Sequence, residues 1–73
     1  MIEKTVVVVG VDVKTGLVDF RIHTQYWPTE SIQAGSHLLY AKAEAEADGM
    51  RDVLAFDTDS PAFEKLKYGL EGL

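Results

Sequence analysis

The chain has 73 residues, a formal net charge of −5 and no cysteine. That length makes a single domain, 1–73, near the lower limit at which a hydrophobic core suffices alone. The missing thiols exclude disulfides, zinc fingers and cysteine catalysis, and they fit a reducing, cytoplasmic setting. Basic residues are scattered from Lys4 to Lys67, whereas phosphate backbones require them clustered, so direct nucleic-acid binding is not expected. No apolar stretch reaches the length of a bilayer span, and nothing near Met1 reads as a signal peptide.

In chain order, residues 4–13 (KTVVVVGVDV) read as a strand. Its valines are apolar on both faces at Val6 to Val9, which suits a central position in a sheet. Residues 17–27 alternate. Val18, Phe20, Ile22, Thr24 and Tyr26 share one face; Asp19, Arg21, His23 and Gln25 share the other. Between the two runs, Val13 to Gly16 form a loop closed by Asp12 opposite Leu17, with Gly16 supplying a positive φ. This register pairs Val11 with Val18, Val9 with Phe20 and Val7 with Ile22. A slip of one residue would set valines against Asp19 and Arg21.

Pro28 ends the second strand, and the stretch 27–50 (WPTESIQAGSHLLYAKAEAEADGM) reads as one long helix capped by Thr29 or Ser31. Ile32, Gly35, Leu39, Ala43 and Met50 fall near one stripe, with Leu38 and Ala45 beside it. Gly49 stands where a left-handed terminating residue belongs. Residues 52–56 (DVLAF) read as a third strand. A last helix opens with Ser60 as cap and Pro61 in its first turn, and carries a Phe63, Leu66, Leu70 stripe.

The order is β-β-α-β-α, an α+β domain. A crossover from the second strand to the third that skips the first gives sheet order 2-1-3. The long helix is expected on the Val7/Val9/Phe20 face. The opposite face, with Val6, Val8, Leu17 and Trp27, is then left to the last helix or to a second subunit, and a homodimer is expected on grounds of size.

Chemistry-bearing constellations are sparse. Asp12, Asp57 and Asp59 follow strands as metal-binding carboxylates can, yet paired-ion chemistry needs several acids converging within about 4 Å. Asp12 suits a turn, and Asp57 and Asp59 suit a helix N-terminus. His23 and His37 lack metal-ligand spacing; His23 is expected on the polar strand face beside Arg21, and His37 on the exposed side of the helix. Ser31, Ser36 and Ser60 lack the strand–turn–helix setting of a nucleophile, and no phosphate-binding glycine motif occurs. No catalytic residue, metal or cofactor is assigned.

Binding features are stronger. Tyr26 and Trp27 are residue types enriched as interface anchors, and alternation places them on opposite faces. An acidic run supplies Glu44, Asp48 and Asp52, with Tyr40 beside it, and would meet a basic protein surface. The sequence is therefore read as a non-enzymatic protein–protein interaction module, a regulator or inhibitor. By analogy alone, accessory proteins of phages and mobile elements include domains of this kind. The alternative is a small-molecule cleft or minor enzyme site in a dimer, lined by Arg21 and His23 with Tyr26 and Trp27.

Overall fold

The computed structural model describes residues 1–71, apart from the side chains of residues 62, 66, 67, 70 and 71. Its elements are β1 (Ile2–Asp12), β2 (Val18–Trp27), α1 (Thr29–Gln33), α2 (Ser36–Ala47), β3 (Met50–Asp57) and α3 (Pro61–Glu71). The strands form one sheet in the order β2-β1-β3, and β1 is antiparallel to both neighbours. The valine-rich strand is central, as its two apolar faces require.

The β1–β2 hairpin has the register that the alternation dictates: Val11 opposite Val18, Val9 opposite Phe20, Val7 opposite Ile22. Its loop is built by Asp12. The Asp12 carboxylate accepts the Lys14 amide at 2.8 Å, and its carbonyl accepts the Gly16 amide at 2.7 Å. Gly16 turns back into β2 at φ 72°, a conformation that costs a residue with a Cβ. Asp12 is thus a turn residue.

The expected single helix is broken. Gly35 adopts φ 76° between α1 and α2, and neither helix has a side-chain cap. Thr29 and Ser31 lie inside α1, so the capping expectation fails. A left-handed glycine ends one helix and lets the next start at a new angle. Gly49 also adopts a positive φ, closing α2 into β3. The Ser60 hydroxyl accepts the Phe63 amide at 3.2 Å, as expected for a cap one residue before Pro61. Leu66 and Leu70 of the expected α3 stripe have side chains outside the described residues.

The core corrects the expected layering. Val6, Val8, Ala41, Ala45, Met50 and Val53 form one buried cluster, with Leu38 and Ala55 packed against it. Helix α2 therefore covers the Val6/Val8 face and not the Val7/Val9/Phe20 face, where Phe20 is exposed. The buried stripe of α2 is His37, Ala41 and Ala45, while Leu39 and Ala43 point outward. Two causes favour this side. Alanines allow the close approach that Val6 and Val8 can fill, and α2 carries carboxylates that match the polar face of β2.

A bulge in β3 strengthens the choice. Pairing runs Val9 opposite Leu54 but Val11 opposite Arg51, so β3 holds one extra residue across from Gly10. Asp52 absorbs it at φ 53°, a left-handed conformation that Asp tolerates better than most residues. Strict alternation would send Met50 and Val53 to opposite faces. The bulge turns both to the helix side, where both are buried. Gly10 makes room: a Cβ there would lie 3.1 Å from the Arg51 carbonyl and 2.9 Å from the Met50 methyl.

Candidate interaction surface

Alternation along β2 leaves Val18, Phe20, Ile22 and Tyr26 exposed on the side away from α2, with Ile22 at 72% of its full accessibility. Strand β3 adds Leu54, 60% exposed, and Phe56, opposite Val9 and Val7 respectively. Val7 is the buried residue of this side and stands between Ile22 and Phe56 in the neighbouring strands. Thr5 and Thr24 share a hydroxyl–hydroxyl hydrogen bond of 3.1 Å on the same face. Scattered apolar residues on a surface need no explanation, but a contiguous sheet face of them marks an interaction site.

The helix side is the chemical opposite. Arg21 donates to Asp48 at 2.8 Å. His23 Nδ1 lies 3.4 Å from Glu44, whose other oxygen accepts the Tyr40 hydroxyl at 3.1 Å. His37, 2% exposed and not on the outer helix surface as expected, is 2.8 Å from Asp57 through Nε2. Lys4 lies 3.1 Å from Asp59 and 3.6 Å from Asp57. The hydrogen bond from Lys4 lowers the Asp59 carboxyl below its ordinary range, and the same contact raises the Lys4 ammonium. Across the sheet, Glu3 stands opposite Tyr26 and pushes its phenol upward.

These contacts redistribute the residues singled out in the sequence. Tyr26 and Trp27 do lie on opposite faces. Tyr26 belongs to the open face, whereas Trp27 meets Tyr40 edge-on with ring centroids 5.4 Å apart. Glu44 and Asp48 are held by β2, and Asp52 pairs with Arg51 at 3.1 Å, so these acids and Tyr40 do not form one patch with Tyr26. Arg21 and His23 lie beneath α2, on the opposite side of the sheet from Tyr26, so the four residues of the ligand-cleft alternative do not converge. A shallow cleft lies elsewhere, lined by Lys42, Glu46, Met50, Arg51, Asp52 and Val53.

Each imidazole spends one nitrogen on a carboxylate. The other, His23 Nε2 or His37 Nδ1, is buried with no partner among the described residues. Among those residues no group of three or more His, Asp or Glu side chains could hold a metal ion, and no helix is long and apolar enough to cross a membrane.

The apolar row of β2, expected in the core, is exposed, and Leu54 joins it on the surface. The available signal was the spacing of Met50 and Val53, two apolar residues three apart that share a face only if the strand bulges. Comparison with family models, with curated proteins and with solved structures finds no match to this chain.

Proposed function

We propose that the chain is a non-enzymatic protein–protein interaction module whose working surface is the open face of its sheet. The observation that carries this is the run of Phe20, Ile22, Tyr26 and Leu54, all exposed on one side of a three-stranded sheet. Burying a side chain of this kind contributes roughly 1.5–3 kcal/mol, so a few of them supply most of the driving force for a stable complex. The ionisable groups support the same reading. Both histidines are held by carboxylates under α2, and the Ser60 hydroxyl donates to the Asp57 carbonyl at 2.8 Å, an arrangement of caps and ties rather than of nucleophile and base. Docking through the acidic helix is the weaker variant, because Asp48 already pairs with Arg21 and Glu44 already contacts His23.

Site-specific photo-crosslinking tests the surface. A photoreactive residue replacing Ile22 should give protein adducts in cells of the source, to itself or to another protein, whereas one replacing Glu46 should not. Absence of adducts at position 22, or adducts confined to position 46, would overturn the assignment.

A further inference from the structure

We infer that the open sheet face is covered by a second copy of this chain, packed face to face about a twofold axis that crosses the strands at the level of Val7. The inference rests on the interaction surface proposed above and names its occupant.

The first argument is layering. The chain measures 36 × 29 × 16 Å, thin enough for one sheet and one helix layer. Such a sheet is hydrophobic on two sides and covered on one. A second copy supplies the missing layer and gives a four-layer α-β-β-α dimer.

The second argument is charge. A chain of net charge −5 repels its own copies, yet half of its twelve carboxylates, Glu44, Glu46, Asp48, Asp52, Asp57 and Asp59, lie in α2 or in and beside β3. Face-to-face packing places both α2 helices on the outside, as far apart as the dimer allows. Along the open face the strand register leaves Glu3 at one end and Arg51 at the other, of opposite sign, with Arg51 on the β3 edge beside Asp52.

Their placement selects the symmetry. Glu3 pairs with Tyr26 at one end of the face, and Arg51 pairs with Val11 at the other. Val7 lies midway along β1 between Glu3 and Val11. A twofold axis across the strands at Val7 reverses the partner's strand direction and brings Glu3 of each copy to Arg51 of the other. An axis along the strands would set Glu3 beside its own image. Among the described residues Arg51 is tied to the exposed Asp52, a pairing that contributes little and can be exchanged. At the centre, the Val7, Ile22 and Phe56 row meets itself, as an isologous contact requires.

Sedimentation of the purified chain, over roughly 1 µM to 1 mM, tests this without any partner. A species of twice the chain mass is expected. Ile22→Glu and Leu54→Glu, on opposite edge strands and exposed in the single chain, should each weaken association by about tenfold or more with an unchanged circular dichroism spectrum. Glu3→Arg should weaken it roughly two- to fivefold, and Glu3→Arg with Arg51→Glu should restore it. A chain that is monomeric throughout overturns the second copy while leaving a different protein partner on the same face. A dimer indifferent to Ile22→Glu and Leu54→Glu overturns the face, and failure of the double reversal to restore association overturns the stated axis.

Discussion

The two faces of the sheet are made from the same three strands and solve opposite problems. Toward α2, the sheet is small-cored and polar-rimmed: Val6, Val8, Met50 and Val53 fill the centre, while Arg21, His23 and Lys4 tie the margins to acids. Away from α2, the same strands present aromatic and branched side chains with hardly a charge among them. The contrast shows that hydrophobicity alone does not decide which face a helix covers. Face selection here follows fit and charge. An alanine-lined helix bearing Glu44 and Asp48 matches the Arg21/His23 side of β2 better than the Phe20/Ile22 side.

The largest expected effect separates the faces within a single strand. Met50 and Leu54 both belong to β3, and Met50 is buried while Leu54 is not. Met50→Ala should destabilise the chain by about 2–5 kcal/mol. Leu54→Ala should change stability by less than about 0.5 kcal/mol, when chemical denaturation is followed at a concentration where the chain is monomeric. Equal losses would mean that the open face is covered within one chain, and the comparison would collapse.

Next in size is the device that aims Met50 at the core. Asp52 holds φ 53°, so Asp52→Val should cost about 1–2 kcal/mol, the penalty for forcing a branched residue into left-handed backbone. Asp52→Gly should be neutral or stabilising. If Asp52→Val were harmless, the bulge would not need its left-handed residue, and the orientation of Met50 would have another cause. Thermal unfolding of the two variants beside the unmodified chain distinguishes these outcomes.

This bulge also marks where the sequence stops being readable. The hairpin was legible because its register is local: a glycine loop and a period-two pattern leave one alignment that avoids valine–aspartate pairs. Strand order was legible because Val6 to Val9 are apolar on both faces. The covered face was not. Period-two alternation states that Phe20 and Ile22 share a side without stating which side receives the helix, and that choice depends on the bulge and on contacts between residues far apart in sequence. His37 was misplaced for a related reason. Its environment is set by Asp57, reached only after α2 turns back along the sheet. The candidate surface was half legible: Tyr26 was singled out, but it was grouped with Glu44 and Asp48, which face β2 on the other side.

The smallest effect probes whether only the helix face depends on charge. Asp59 titrates below its ordinary value of about 3.9 in the folded chain, and Lys4 above its ordinary value of about 10.4. For Asp59 the folded value is the lower one, so its contribution is complete above the unfolded value and is lost as pH falls through the folded one. For Lys4 the folded value is the higher one, so its contribution is complete below the unfolded value and is lost as pH rises through the folded one. The pair therefore stabilises the chain on a plateau between about pH 4 and 10. Asp59→Asn should flatten the acid shoulder of a plot of denaturation midpoint against pH. The difference from the unmodified chain should shrink at high salt, because Asp59 is exposed and screening acts within about 10 Å. Association through the open face should keep its strength across the same interval, since neither Lys4 nor Asp59 lies on it. An association constant that fell with Asp59→Asn would tie the two faces together and remove the distinction between a face held by charge and the proposed contact face.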